Sequence, residues 1–355
     1  MIVNIIYSAG AQHSATRLIH GLITDVFITE GQRVMELALV GKGENFSSCV
    51  EETAISTSNV VHHKGIWRYL PTFLTQKITN TLNRVEAETV ICDGLGVMRP
   101  LLKVLARAEQ LKLMVVVHGR VKFRPSDIRQ LAKFSERIRL IAVSHYLADE
   151  IASNYPELRS FLRVVPNTIA PNFNEQLLDR QVARVELGLP VTGNLVAISS
   201  RLVRKKNVDF VLRSFAVSKS PEQVLVVMGD GPERCDLQQL AEALSISNRI
   251  IWLGWVPCAG RYLKAFDLFV SASEIEGFGL SVLEALVADL PVVCSRIPAH
   301  QEVLGESASY FEVGDIEGCA SLLAGTPVAG QPSDIHGRYA RFSSGYRQIY
   351  RELQE

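Results

Sequence analysis

The feature that most constrains the fold is the alternation of short apolar runs with segments of helix length. In the first half, apolar runs predict strands near residues 2–7, 34–39, 89–92, 112–117, 140–143 and 163–165. In the second half they predict strands near residues 195–199, 223–228, 250–253, 268–270, 292–294 and 309–311. Strands that alternate with helices are typical of parallel βαβ units, so the predicted fold class is α/β.

The length of the chain, 355 residues, suits two domains of ordinary size. Ala170-Pro171-Asn172 interrupts the alternation and marks the predicted boundary. A surface loop is predicted at 326–334, and aromatic residues at helical spacing predict a terminal helix beyond it. We therefore expect domains at residues 1–170 and 171–334, with a carboxy-terminal helix at 335–355.

Composition excludes several classes of protein. The formal net charge is zero, which gives no reason to expect a nucleic-acid partner. The six cysteines form no Cys-x-x-Cys pair or His/Cys cluster, which argues against a structural zinc site and suits a reducing compartment. The start of the chain does not resemble a signal peptide, and no apolar run is long enough to span a bilayer. We expect a cytoplasmic protein.

One stretch, residues 276–286, carries the strongest functional signal. Glu276-Gly277-Phe278-Gly279-Leu280 precedes a predicted helix over 280–288 that contains Glu284. Glycines let backbone N–H groups approach a ligand closely, and a helix N-terminus favours an anion. Two carboxylates beside such a turn suit a ligand that has both phosphates and sugar hydroxyls.

Other candidates also follow predicted strands, where ligands of open α/β sheets bind. Arg201 and Lys206 follow the strand ending at Ser199, with Arg204 and Lys205 between them. By spacing alone, any of these four cations could meet a diphosphate, or all could form a solvated basic turn.

Further glycines and a histidine occupy similar strand-end positions. Gly229 and Gly231 form a turn after a strand, and a plain strand-to-helix turn is the alternative reading. His118 and Asp93 each end a strand, and a purely structural role is the alternative for both.

Together these motifs resemble the retaining nucleotide-sugar glycosyltransferases of family four, which have the GT-B fold. The paired glutamates of 276–286 carry most of the resemblance. The other matching segments are residues 142–144, 165–167, 200–207, 228–233 and 291–295. The resemblance implies two Rossmann-like, doubly wound domains that face each other across a cleft, with a terminal helix that returns to the first domain.

The resemblance also implies roles for individual residues. Arg201 and Lys206 would contact the donor diphosphate and stabilise the leaving group, and Glu284 would accept hydrogen bonds from the ribose. Glu276 and His118 would lie near the transferred sugar. Backbone groups of the remaining donor-site residues would meet phosphate or sugar oxygens: Gly277, Phe278, Gly279, Leu280, Gly229 and Gly231.

The segment expected to bind the acceptor matches the family pattern less well than the donor segment does. The family often has paired glycines and a glutamate after the first strand, whereas this chain has Ser8-Ala9-Gly10 with no nearby acid. The acceptor-side candidates are Gly10, Asp93, Arg120 and Lys122. The Asp-x-Asp pair that holds a divalent ion in other glycosyltransferases is absent. We expect neither a metal nor another cofactor, because two cations and a helix N-terminus can neutralise a diphosphate.

Local charge suggests the nature of the acceptor. Residues 99–139 carry eleven Lys/Arg against three Asp/Glu, and residues 64–84 mix aromatic side chains with cations and no acid. The first stretch could be a solvated basic face, or it could bind an anionic acceptor. The second could be a core helix, or it could contact the inner membrane. The sequence thus predicts transfer of a sugar to a glycan or glycolipid, such as a lipopolysaccharide core, with retention. A nucleotide-sugar 2-epimerase and a non-catalytic nucleotide-binding scaffold are the alternatives.

Overall fold

The computed structural model describes residues 1–8, 15–40, 58–59, 71–305, 309–325 and 334–355. These residues form two compact units, Met1–Thr168 with Gly337–Glu355, and Ile169–His336. The predicted domain boundary after residue 170 lies two residues from the change of unit. The candidate Gly10, most of the predicted loop at 326–334 and the first part of the basic segment 64–84 lie outside the described residues.

Unit 1 is built on a parallel sheet of seven described strands in the order β3-β2-β1-β4-β5-β6-β7. The strands are β1 Ile2–Ser8, β2 Val34–Val40, β3 Ser58–Asn59, β4 Thr89–Asp93, β5 Lys112–Val117, β6 Ile138–Ala142 and β7 Leu162–Val164. Five successive residues of β5 are buried, as expected for a strand that helices cover on both faces.

The helices of unit 1 follow its strands. They are α1 Ala15–Thr29, α2 Pro71–Arg84, α3 Gly94–Leu105, α4 Pro125–Lys133, α5 His145–Asn154 and a 3-10 helix Pro156–Phe161. The last helix of the chain, Ile335–Gln354, also contacts this unit. Its Tyr350 packs edge-on against Phe27 at 5.3 Å between ring centroids, and Arg163 Nε donates to Glu352 Oε2 at 2.8 Å.

Unit 2 contains a parallel sheet of six described strands in the order β10-β9-β8-β11-β12-β13. The strands are β8 Leu195–Ser199, β9 Val224–Met228, β10 Ile250–Gly254, β11 Leu268–Ser271, β12 Val292–Ser295 and β13 Ser309–Phe311. Alternate apolar side chains of these strands form one buried cluster with residues of the helices Val208–Val217, Arg234–Ala243 and Ile316–Ala324. Two parallel sheets of this kind confirm the predicted α/β class with a Rossmann-like sheet in each unit.

The α-helices of unit 2 are short. They are α6 Phe173–Gln176, α7 Arg180–Glu186, α8 Val208–Val217, α9 Arg234–Ala243, α10 Leu280–Val287, α11 Pro298–Leu304 and α12 Ile316–Ala324. The last helix of the chain, which contacts unit 1, is α13. The chain also makes 3-10 turns at Arg204–Lys206, Ser247–Arg249 and Ala259–Ala265. No described helix has the length and apolar character needed to cross a bilayer.

Two prolines lie within the helices of unit 1. Helix α3 begins at Gly94 and carries Pro100 in its interior. Pro71 is the first residue of α2. The first turn of a helix tolerates proline because its N–H groups have no intrahelical partner.

A buried arginine joins the start of unit 2 to its sheet. Arg184 on α7 is fully buried and donates to the carbonyl oxygens of Ala265, Pro190, Val191 and Gly193. It also pairs with Asp267 at 3.0 Å, directly before β11. Arg180 pairs with the same carboxylate from a more exposed position, with 45% of its side chain accessible.

This arrangement predicts a large difference between two neighbouring arginines. Arg184→Met should lower the free energy of unfolding of unit 2 by about 3–5 kcal/mol, because it leaves four carbonyl groups without their donor and removes one of the partners of Asp267. The matched control, Arg180→Met, should cost about 0–1 kcal/mol. Urea unfolding followed by fluorescence of Trp252 and Trp255 in unit 2 measures both. Equal losses would show that Arg184 does not anchor this unit.

Candidate functional site

The strand order of unit 2 defines where a ligand can bind. From β8 the chain winds through β9 and β10 toward one edge, and from β11 through β12 and β13 toward the other. The loops that follow β8 and β11 therefore diverge, which opens a crevice at the carboxyl ends of these two adjacent strands. Three of the predicted donor residues, Arg201, Lys206 and Glu276, follow these two strands.

A direct contact joins the two loops at this crevice. The Nζ of Lys206 donates to Oε1 of Glu276. The backbone adds a second link, since the N–H of Glu274 donates to the carbonyl of Lys205 at 3.0 Å. Lys206 ends the 3-10 turn, and Asn207 follows it in the left-handed conformation with φ +54° before α8 begins.

The structure separates four cations that spacing alone left equivalent. Lys206 is half-buried, whereas Arg201, Arg204 and Lys205 are exposed. Among the described residues, the three exposed side chains form no ion pair with a carboxylate. Lys206 is thus fixed by the protein, and Arg201 extends into solvent after β8.

Glu276 is ionised because of its neighbours. Burial by itself would raise the pKa of Glu276, but the Lys206 ammonium and the Ser273 hydroxyl, which donates at 2.8 Å, bring that pKa below its usual value. Glu276 is therefore an ionised carboxylate at neutral pH. A ligand phosphate near it would meet a cation that is already held in place.

The glycine turn leads directly into α10. Gly279 has φ +98° and is the N-cap residue, a conformation that side-chain-bearing residues rarely adopt. A Cβ at this position would lie 3.3 Å from Cδ2 of the buried His300. The first N–H groups of α10, from Leu280 onward, have no intrahelical acceptor and can meet an anion.

His300 supports this turn from inside the unit. Its Nδ1 donates to the Ser295 carbonyl at 2.9 Å, and burial holds the pKa of His300 below its usual value. The Ser295 hydroxyl in turn donates to the Ser273 carbonyl at 2.6 Å. The loop that carries Glu276 is thus held by a series of buried polar contacts that begins on β12.

Glu284 lies on α10 beside the 3-10 turn Ala259–Ala265, in which a glycine leaves space for its carboxyl group. A Cβ at Gly260 would lie 3.3 Å from the Glu284 carboxyl carbon and 3.0 Å from the Phe173 ring. Glycine at 260 therefore makes room for the carboxyl group. Burial raises the pKa of Glu284 to about 7, and no cation of the described residues offsets this effect. The carboxyl is therefore poised to change its protonation when a polar ligand enters.

Gly229 and Gly231 have a packing role. A Cβ at Gly229 would lie 1.8 Å from the Ser200 carbonyl oxygen, and one at Gly231 would lie 2.2 Å from that of Leu202. Their N–H groups already donate to Gly254 O and to Asp230 Oδ1, each at 2.7 Å. These glycines bring the loops after β8 and β9 into contact, and their N–H groups are engaged within the chain.

A second polar cluster occupies unit 1. His118 follows β5 and Asp93 ends β4, and their side chains are 3.9 Å apart between Nε2 and Oδ1. His20, from α1, lies 3.2 Å from His118 between the two Nε2 atoms. Burial lowers the pKa of His118 to about 4 and lowers that of His20, with a further contribution from His118. Burial raises the pKa of Asp93, partly offset by a hydrogen bond from the backbone of Tyr7.

The acceptor-side cations differ in their environment. Arg120 donates to Glu150 at 2.9 Å and to Tyr146 at 3.0 Å through its Nε, so much of its hydrogen-bonding capacity is used within unit 1. Lys122 is exposed. Arg99, in the same basic stretch, is paired with Asp127 at 3.0 Å. The excess of basic residues over 99–139 is thus reduced locally by internal partners.

Sequence reasoning missed the residues that support these sites. Ser273, Ser295 and His300 hold the glutamate loop, and His20 and Asn4 contact each other below His118. Ser273 lies three residues before Glu276, a spacing that could have indicated it. The others come from distant strands and helices, and no local pattern marks them.

Comparisons with known proteins agree with this geometry. Residues 179–323 match the family model described as glycosyl transferases group 1. N-acetyl-alpha-D-glucosaminyl L-malate synthase of Bacillus anthracis is 29% identical over 224 residues, 60% of this chain and 57% of the relative. The lipopolysaccharide core biosynthesis glycosyltransferase LpsE of Rhizobium meliloti is 33% identical over 144 residues, 40% of this chain and 42% of the relative. The matches thus span about half the length of these curated relatives.

One solved structure covers both units. The crystal structure of Anabaena Alr3699/HepE in complex with UDP-glucose superimposes with a TM-score of 0.75 over 100% of this chain and 99% of that chain, at 16% identity. At this identity the likeness shows the fold. Together with the family match it confirms the resemblance stated from the motifs: residues 179–323 are similar to the group 1 glycosyltransferases, and the chain has the GT-B fold.

Proposed function

We propose that this chain transfers a sugar from a nucleotide-diphosphate donor to a hydroxyl of a glycan or lipid-linked glycan. The observation that carries the proposal is the contact between Lys206 and Glu276 at the switch point of unit 2, directly before the N-terminus of α10. This arrangement offers a fixed cation, a fixed carboxylate and the backbone N–H groups of a helix N-terminus within a few residues. A sugar linked to a diphosphate needs all three.

Cleavage of the donor leaves a nucleoside diphosphate, and the site can stabilise the charge that develops on it. Lys206 is held by Glu276, so little reorganisation is needed when negative charge appears. Arg201 is exposed and can turn its planar guanidinium toward the phosphates. The N–H groups at 277–280 add the partial positive charge of a helix N-terminus. This set of donors supports neutralisation of the leaving group in unit 2 without a metal ion.

The two carboxyl groups have different tasks in this proposal. Glu276 is ionised and lies beside Lys206, which suits hydrogen bonds to hydroxyls of the transferred sugar and stabilisation of an oxocarbenium-like state. Glu284 lies in the gap left by Gly260 and would accept hydrogen bonds from ribose hydroxyls. His118 of unit 1 would contact the transferred sugar, as the family resemblance implies.

The acceptor and the stereochemistry are the finer parts of the proposal. The relative LpsE is named for lipopolysaccharide core biosynthesis, which favours a bacterial surface glycan or its lipid-linked precursor. Exposed Lys122 and the neighbouring Arg120 would favour an anionic acceptor. Retention of the anomeric configuration follows from the family resemblance. A lipid-linked acceptor would place the protein on the cytoplasmic face of the inner membrane.

Two incubations test the proposed reaction. A thermal-shift screen with UDP, GDP and ADP sugars identifies the donor, because a ligand that binds the folded state raises the melting temperature. The selected donor is then incubated with and without lipopolysaccharide-core acceptors, and the products are identified by mass spectrometry and NMR. We expect nucleotide diphosphate and an elongated acceptor only when both substrates are present. An isomerised sugar formed without acceptor would indicate the epimerase instead, and no turnover of any donor would indicate a scaffold.

Two adjacent lysines provide a matched test of leaving-group stabilisation. Lys206→Met should lower kcat by about 10²–10³-fold, as expected when one preorganised electrostatic group is removed. Lys205→Met removes the same charge from an exposed neighbour and should change kcat by less than about threefold, since exposed charges are screened. Steady-state kinetics with melting temperatures as a folding check measure both. Unchanged kcat in the Lys206 variant would remove this residue from the mechanism.

The raised pKa of Glu284 predicts that donor binding depends on pH. The ionised carboxylate accepts stronger hydrogen bonds from the ribose hydroxyls than the protonated acid does, and in the free protein this carboxyl is protonated below its pKa of about 7. Donor affinity should therefore fall as pH decreases from about 8 to about 6, approaching tenfold per unit below the pKa. A nucleotide sugar is the right probe because its diphosphate diester does not titrate in this range.

Glu284→Gln is the control for this pH effect. The variant should bind the donor more weakly at pH about 8 and lose most of the pH dependence, because an amide does not titrate. Isothermal titration calorimetry at each pH gives the affinities. A wild-type profile that remains in the glutamine variant would assign the pH dependence to another group.

A further inference from the structure

A buried set of hydrogen bonds adjoins His118, the residue that would contact the transferred sugar. His20 on α1 is fully buried, and its Nε2 lies 3.2 Å from the Nε2 of His118. The other ring nitrogen of His20, Nδ1, lies 2.6 Å from Oδ1 of Asn4 on β1. Asp93 Oδ1 is 3.9 Å from the same Nε2 of His118, which is too long for a hydrogen bond. His20 is therefore the hydrogen-bond partner of this nitrogen.

The contacts of Asn4 determine which nitrogen of His20 carries the hydrogen. The Asn4 amide donates from Nδ2 to the His20 carbonyl and to Thr24 Oγ1, each at 2.9 Å. Its Oδ1 therefore faces His20 Nδ1, and an amide oxygen can only accept. Burial, with a contribution from His118, lowers the pKa of His20 well below its usual value, so the ring is neutral and carries one hydrogen. That hydrogen lies on Nδ1, and His20 Nε2 has a lone pair.

The state of His20 in turn determines the state of His118. Burial lowers the pKa of His118 to about 4, so this ring also carries one hydrogen at neutral pH. The lone pair on His20 Nε2 can only accept, and the contact of 3.2 Å therefore requires the hydrogen of His118 to lie on its Nε2. The Nδ1 of His118 then has the lone pair and can accept a hydrogen bond.

The same contact selects one orientation of the His118 ring. Rotation of the ring by half a turn would exchange Nε2 with Cε1 while leaving the shape of the side chain almost unchanged. Packing alone therefore distinguishes the two orientations poorly. The hydrogen bond to His20 distinguishes them well, because a buried N–H without an acceptor costs free energy.

From this geometry we infer that His20 is a positioning residue for sugar transfer, which accepts the Nε2–H of His118 and so leaves Nδ1 of that ring to meet the transferred sugar. The inference rests on the proposed function, in which His118 contacts this sugar. About a sixth of the His118 side chain, 17%, is accessible, so one edge of the ring can reach a ligand. An unprotonated Nδ1 can only accept, so the group that it meets must be a hydroxyl or an amide N–H.

Histidine tautomers in the ligand-free protein test the hydrogen-bond assignment without any assay of transfer. With isotope-labelled histidine, long-range proton–nitrogen correlation spectra show which ring nitrogen carries the hydrogen, and substitutions assign the signals. We expect hydrogen on Nδ1 of His20 and on Nε2 of His118. His20→Leu should convert His118 to a mixture of tautomers, whereas Asp93→Asn should leave the hydrogen on Nε2. Hydrogen on His118 Nδ1 in the wild type, or an unchanged tautomer in His20→Leu, would overturn the inference.

Kinetics with the donor selected by the thermal-shift screen test the positioning role. His20→Leu should lower kcat/KM by about five- to tenfold, the loss expected for one neutral hydrogen bond to the sugar. His20→Gln should restore most of this loss, because its amide oxygen can accept the Nε2–H of His118. Full kcat/KM in His20→Leu would overturn the positioning role.

Monodeoxy analogues of the donor separate positioning from a general structural effect. The analogue that lacks the hydroxyl facing His118 should lose about five- to tenfold in kcat/KM with the wild type. It should lose much less with His20→Leu, because the contact is already absent there. Equal losses in both proteins for every analogue would contradict the inference. If the wild type turned over no donor, the proposed function would fail, and the tautomers would still report on the bond between His20 and His118.

His336→Gln is the control, because His336 is an exposed histidine of unit 2 outside this set of hydrogen bonds. It should keep the wild-type tautomers of His20 and His118 and the wild-type kcat/KM. Circular dichroism shows whether each variant is folded. The tautomers of the wild type need no substitution at position 20, so they can overturn the assignment even if His20→Leu does not fold.

Discussion

The contact between Lys206 and Glu276 is the interaction on which the candidate donor site depends. It joins the loops after two adjacent strands, β8 and β11, at the point where the sheet of unit 2 changes winding direction. Without this contact, the cation would be one of four on a solvated basic turn. With it, one ammonium group is fixed beside a helix N-terminus, and its carboxylate partner stays ionised despite burial.

The surroundings of this pair explain why so many small and polar residues lie nearby. Gly229 and Gly231 allow the loops after β8 and β9 to touch through their backbones, which positions the segment that carries Arg201. Ser273, Ser295 and His300 hold the glutamate loop from the interior. Conformational freedom is thus removed before a ligand arrives, and a preorganised site loses less free energy on binding.

Much of the fold could be predicted from the sequence. The apolar runs located the main strands because a parallel sheet covered on both faces needs continuous apolar segments. Short helices such as α7 and α11 were missed because seven residues contain too little periodicity to be recognised. The start of α3 is hard to place from the sequence because its interior Pro100 resembles a helix boundary.

The residues of the candidate site could be predicted only in part. Glu276, Glu284 and the four cations follow strands or open a helix, so a local pattern could indicate them. Spacing could not identify Lys206 as the fixed cation, since that depends on a residue 70 positions away. His20 and His118 are 98 residues apart, and only the tertiary fold of unit 1 brings them together.

The position of the diphosphate in a crystal structure of the protein with its nucleotide sugar tests the central claim most directly. The account predicts that the phosphate oxygens lie within hydrogen-bonding distance of the Lys206 ammonium and of backbone N–H groups at 277–280, with the ribose hydroxyls on Glu284. A diphosphate bound elsewhere, with Lys206 and Glu276 still paired and no phosphate near them, would contradict it.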